Sequence, residues 1–138
     1  MSLIELLSKD SKDTDWTTIK TIAKNDTSNI KEKNKDGSLP LHLACDKDAP
    51  IDVIRLLVEA YPDAAKKKNK YGNLPLHYAC YENAPIDVIR LLLEAYPDAV
   101  KEKNKEGNLP LHYACNNSAS IDVVRLCLLY TSPSPRDS

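Results

Sequence analysis

A block of 35 residues recurs in this chain without a gap. Leu74 to Asn108 reads LPLHYACYENAPIDVIRLLLEAYPDAVKEKNKEGN, and Leu39 to Asn73 reads LPLHLACDKDAPIDVIRLLVEAYPDAAKKKNKYGN. The pattern resumes from Leu109 as LPLHYACNNSASIDVVRL. A tandem period in this range means a solenoid, in which each unit buries its apolar face only against its neighbours. The repeat therefore sets the fold, and it sets the biochemical role only by class.

The residues of one unit predict its shape. Pro75 sits where a helix begins, a position that tolerates a missing N–H and a fixed φ. A short helix from Pro75 to about Tyr81 carries Leu76, Ala79 and Cys80 inward. Asn83-Ala84-Pro85 breaks it, and a second helix runs from about Ile86 to Ala95. That helix is apolar almost all round, with one polar stripe of Asp87, Arg90 and Glu94 at favourable charge spacing. So thin a wet face requires cover on several sides. Tyr96-Pro97-Asp98 ends it, because a residue before proline disfavours the helical region. Polar Lys101 to Asn108, bent at Gly107, then forms a hairpin-like finger leading to Pro110.

This pattern resembles the ankyrin repeat. The resemblance rests on Leu39-Pro40-Leu41-His42-Leu43-Ala44, Leu74-Pro75-Leu76-His77-Tyr78-Ala79 and Leu109-Pro110-Leu111-His112-Tyr113-Ala114. Each corresponds to the family's T-P-L-H-x-A with Leu in place of Thr. The second-helix core and the N-x-x-G finger support it, and it covers about Trp16 to Leu126. The resemblance implies a turn, two antiparallel helices and a β-turn finger per unit, and protein–protein recognition as the role. It also implies that the histidine is a hydrogen-bonding post tying adjacent turns together. Two departures stand out. The period is 35 rather than 33, with the surplus expected in the Asp46–Pro50 and Tyr61–Ala65 turns. Losing the Thr removes a helix-capping oxygen, at a typical cost of about 1 kcal/mol. Ser38, Asn73 and Asn108, one place earlier, are the candidates to replace it.

At the N-terminus the apolar run Leu3, Ile4, Leu6, Leu7 is too short and too acid-flanked for a signal peptide or membrane span. It reads as a capping helix. From Trp16 the period is already present: Ile19 aligns with Ile54, Ile22 with Leu57, and the segment 31–37 with the later fingers. Its second helix is wetter, as befits a terminal unit with one face in water. At the other end the third copy holds register through Leu126. The string LLYTSPSPRD that follows resembles translated sequencing adapter, and the natural protein is expected to continue past Leu126. The expected organisation is a degenerate N-terminal capping repeat over 1–38, repeats over 39–73 and 74–108, a truncated repeat over 109–126 and a non-native tail over 127–138.

Residues that could carry chemistry are few. Cys45, Cys80 and Cys115 follow His42, His77 and His112 by three residues. One His and one Cys make an incomplete metal site, and packed helices lie about 8–10 Å apart, too far to pool ligands held within about 2.3 Å. These cysteines are expected to be small buried filler, and no metal or cofactor is predicted. Unpaired buried thiols suit a reducing, cytoplasmic setting. The glycines are Gly37, Gly72 and Gly107, one per finger, so no phosphate loop exists. Every histidine belongs to the repeat, so no nucleophile–base arrangement can be argued. An enzyme is not expected in this segment.

What remains is surface. The segments 31–36, 66–71 and 101–106 hold ten of the fifteen lysines and a net charge of +6, leaving −7 on the rest of the chain. Stacking aligns them into a basic ridge suited to steering an acidic partner segment, although lysine is also ordinary hairpin filler. Nucleic acid is the weaker partner, since Tyr71 is the lone finger aromatic. The reading is an all-α ankyrin-type solenoid that recognises another protein through its concave face. The alternative is a regulatory array of a larger enzyme or channel. Contacts are expected from finger residues Lys33, Lys35, Asp36, Lys68, Lys70, Tyr71, Lys103, Lys105 and Glu106. First-helix ends add Asp46, Lys47, Tyr81, Glu82, Asn116 and Asn117.

Overall fold

The computed structural model describes residues 3–8, 14–116 and 121–131. Eight α-helices run through them, with no strand among the described residues: α1 Leu3–Ser8, α2 Trp16–Asn25, α3 Pro40–Asp46, α4 Ile51–Ala60, α5 Pro75–Tyr81, α6 Ile86–Ala95, α7 Pro110–Asn116 and α8 Ile121–Thr131. The odd-numbered helices stack on one another in one layer and the even-numbered helices in a second. The shorter helices α3, α5 and α7 pack more extensively on one another than the longer α4, α6 and α8 do. Leu41, Ile54, Leu57, Leu76, Ile89 and Leu92 are fully buried and belong to one core.

Local sequence dictates each element. Proline opens α3 and α5 in the first helical position. Both helices end in the same way: Asp48 and Asn83 take φ of 58° and 57°. The next N–H, of Ala49 or Ala84, then reaches back to the carbonyl of Ala44 or Ala79 at 3.0 and 2.9 Å. This is the left-handed helix stop that short polar residues tolerate. The segments after the second helices are single turns of 3-10 helix, Thr27–Lys31, Pro62–Lys66 and Pro97–Lys101. They bury Ile30, Ala64, Ala65, Ala99 and Val100, so the expected plain turns carry part of the core.

Capping differs from expectation. Leu39 and Leu74 offer no side-chain cap, and Ser38, Asn73 and Asn108 do not replace it. They bond sideways instead: Ser38 Oγ accepts from Asn69 at 3.0 Å, Asn73 Oδ1 accepts from Asn104 at 2.8 Å, and Asn108 Nδ2 donates to Tyr113 Oη at 3.2 Å. The bond the sequence does supply at the helix start comes from the histidine in the third helical position, reaching back to the residue before the helix. Its Nδ1 accepts the leucine N–H at 3.0 Å in α3, 2.9 Å in α5 and 2.8 Å in α7.

At the N-terminus α1 packs on α3 and α2 on α4. Leu3 and Leu7, one helical turn apart, are fully buried. Asp15 caps α2 by accepting from the N–H groups of Thr17 and Thr18. At the far end one expectation is corrected. Cys115 is exposed rather than buried filler, because no further helix pair covers α7 among the described residues. Cys127, in the segment read as a tail, is buried on α8. It continues the register of Leu57 and Leu92, which face inward, whereas Leu128 and Leu129 are 49% and 68% exposed.

Candidate recognition face

Each finger is built around one asparagine. Asn69 Oδ1 accepts from the N–H groups of Tyr71 and Asn73 at 3.0 and 3.1 Å. Its backbone carbonyl accepts from Gly72 N at 2.9 Å, with Gly72 at φ 77°. Asn34 and Asn104 hold their fingers in the same way. Fingers are then tied to one another: Lys70 N donates to Asp36 O at 2.9 Å and Lys105 N to Tyr71 O at 3.0 Å. Asn69 Nδ2 also donates to Ser38 Oγ and to Tyr78 Oη, and Asn104 Nδ2 to Asn73 Oδ1 and Tyr113 Oη. The row is thus cross-braced from finger to finger by backbone and side-chain hydrogen bonds.

The histidines complete the lattice. With Nδ1 accepting from backbone, the ring proton sits on Nε2. His42 donates it to Lys67 O at 2.8 Å and Asn73 O at 3.1 Å, and His77 donates to Asn108 O at 3.1 Å. Burial lowers the His42 pKa to about 4 and pushes His77 in the same direction. Burial pushes the Cys45 thiol up. Cys80 is raised too, first by its hydrogen bond with Cys127 and then by burial. Both ring nitrogens of His42 and of His77 are thus committed to backbone partners, and thiols raised as Cys45 and Cys80 are make poor nucleophiles. No group of three or more metal-ligating side chains occurs among the described residues.

The expected contact residues fall in two places. Lys33, Lys35, Lys68, Lys70, Tyr71, Lys103, Lys105 and Glu106 are exposed along the fingers, with Asp36 half-buried. Part of the lysine charge is engaged between fingers: Lys70 pairs with Asp36 and Lys68 with Glu102, each at 2.7 Å, and Lys70 also lies over the Tyr71 ring. At the first-helix ends Asp46, Tyr81 and Asn116 are exposed, and Lys47 and Glu82 half-buried. Asn117 lies outside the described residues. The two sets meet around an open groove of about 1010 Å³ whose lining includes Ile4, Trp16, Lys35, Asp36, Leu43, Asp46, Lys47 and Glu82. Trp16 and the α1 side chains were missing from the expected contacts. Their apolar periodicity marks them as core, and only the packing of α1 on α2 and α3 brings them together at the groove.

No described helix is long and apolar enough to cross a membrane. A sequence model of ankyrin repeats matches residues 3–102 in three copies, and a single ankyrin repeat matches residues 106–138. No curated protein matches the chain.

Proposed function

The chain belongs to the ankyrin-repeat family, and from that premise we propose that it recognises another protein through its concave face and finger row. Ankyrin repeats are generally protein–protein interaction modules and typically non-enzymatic. The observation that carries the reading is the groove of about 1010 Å³ between α1, the first finger and the ends of α3 and α5. It joins apolar Ile4, Leu43 and Trp16 to charged groups at its rim, the mixed composition of an interface core and its surround. Lys33, Lys35, Lys103 and Lys105 supply steering charge along the fingers for an acidic stretch of the partner.

The test compares two variants on a partner isolated with the wild-type chain. Replacing Lys33, Lys35, Lys103 and Lys105 with Gln is expected to slow association several-fold and flatten its salt dependence. Replacing Arg55 and Arg90, on the outer helices, is expected to leave both unchanged. Equal effects from the two sets would remove the concave face as the recognition surface.

A further inference from the structure

A smaller cavity opens between α3, α5 and α7, where the base of the second finger meets the first helices. It measures about 160 Å³ and is lined by Asp46, Asn73, His77, Tyr78, Tyr81 and Tyr113. Its walls are mostly rings. Tyr81 meets Tyr113 edge to face at 5.6 Å between centroids, and Tyr113 meets His77 at 6.3 Å. The hydroxyls of Tyr78 and Tyr113 are engaged by Asn69 at 2.7 Å and Asn104 at 2.9 Å, which pins both rings to the fingers. Tyr81 is 57% exposed at the mouth.

The charged group in the lining is a carboxylate, and two more lie close by. Partial burial of its carboxyl holds Asp46 above the ordinary range despite the pull of Lys47. Glu82 is raised by burial and then by the negative charges of Asp46 and Asp48. His77 stays neutral, since burial lowers its pKa. Aromatic faces carry partial negative charge and attract cations, so rings and carboxylates act with the same sign.

We propose that this cavity seats one cationic side chain, the guanidinium or ammonium of an arginine or lysine displayed by the partner protein. Size supports a single side chain, because pockets for drug-sized ligands start at about 300 Å³. Charge excludes an acidic group, and an apolar side chain would desolvate Asp46 without pairing it. The cation relieves the repulsion among Asp46, Asp48 and Glu82 while its stem lies along the tyrosines.

The proposal rests on the concave-face reading, and its test is independent of any partner. The full chain, isotope-labelled, is titrated with the blocked amino acids acetyl-arginine methylamide, acetyl-lysine methylamide and acetyl-norleucine methylamide, following the resonances of Tyr78, Tyr81 and Tyr113. The two cations are expected to saturate with millimolar Kd, and the neutral norleucine derivative to bind about tenfold more weakly. Arginine binding tighter than lysine identifies the guanidinium as the fitted head, and the reverse order identifies the ammonium. Tyr81→Ala is expected to weaken cation binding about two- to fivefold and Tyr81→Phe to retain it. Asp46→Asn is expected to cost about fivefold. All three substitutions are at exposed positions, and an unchanged melting temperature verifies the fold. Equal binding of norleucine, shifts confined to the Trp16 groove, or indifference to both Tyr81→Ala and Asp46→Asn would overturn the cavity as a cation site. Such a failure leaves the finger-lysine test above standing, and a failure there leaves this titration readable.

Discussion

His42 shows how one residue serves three ends. Its Nδ1 accepts the N–H of Leu39 at the start of α3, its Nε2 ties α3 to the next finger, and its ring sits edge-on to Tyr78 at 6.2 Å. Protonation would place a second donor against the Leu39 N–H, so burial and geometry both oppose it. The folded pKa of about 4 lies below the ordinary 6.5. Between those values the unfolded chain binds a proton that the folded chain refuses, so stability falls as pH falls through that window. The full difference is about 3 kcal/mol. His77 adds in the same direction, while Asp46 and Glu82, with raised pKa values, oppose it. Urea unfolding at pH 7.5 and 4.5 should therefore show a marked loss for the wild type. His42→Gln should be less stable at pH 7.5 and change less between the two. Matching slopes for variant and wild type would show that the pH dependence comes from elsewhere.

At the scale of the element, the helices were legible and the fingers only in outline. Proline at position 75, the break at Asn83 and the apolar run from Ile86 place α5 and α6 at the bounds observed. The N-x-x-G signature predicts a bend, yet nothing in a repeating sequence says which neighbour a recurring side chain bonds. Thus Asn69 is visible as a finger residue, and its reach to Ser38 and Tyr78 is not. The basic ridge was likewise legible as composition, while the pairing of Lys70 with Asp36 and Lys68 with Glu102 depends on stacking distance. The tyrosine cavity was missed, although Tyr78 and Tyr113 occupy the same repeat position and Tyr81 lies three residues beyond Tyr78 on one helix face. The finger row itself predicts an asymmetry among its glycines. A Cβ on Gly72 would stand 2.8 Å from Lys105 N, whereas one on Gly107 would meet nothing within 4 Å. Both have positive φ, so Gly107→Ala should cost about 1 kcal/mol. Gly72→Ala should cost a further 1–3 kcal/mol or so, because the next finger must move. Denaturant midpoints of the two variants measure the difference, and equal midpoints would mean that the fingers are not held in contact in solution.

Across the whole molecule, stability is a sum of nearest-neighbour interfaces, and the two ends of the described stack are unlike. At the N-terminal side α2 presents Thr17, Thr18, Lys24 and Asn25 to water, and the cap at Asp15 is closed. At the other side α8 presents Ile121, Leu128 and Leu129 at 69%, 49% and 68% exposure. In the interior copies the positions matching Leu128, namely Val58 and Leu93, are buried at 6% and 0%. Covering one large aliphatic side chain is worth about 1.5–3 kcal/mol, so a second molecule gains by supplying that cover, and contiguous exposed apolar surface promotes such association. Cys127 behaves differently from its neighbours because it faces Cys80 rather than outward, which keeps the inner side of α8 docked while its outer side stays wet. The chain should accordingly self-associate as concentration rises, through α8. Leu128→Lys with Leu129→Lys should abolish that association and leave the melting temperature of a dilute sample within about 2 °C, since neither substitution touches an inward-facing position. Sedimentation over a hundredfold concentration range, on both proteins, decides it. Persistent association of the double variant would move the contact away from α8. A collapse of its melting temperature would mean that Leu128 and Leu129 already pack within the chain.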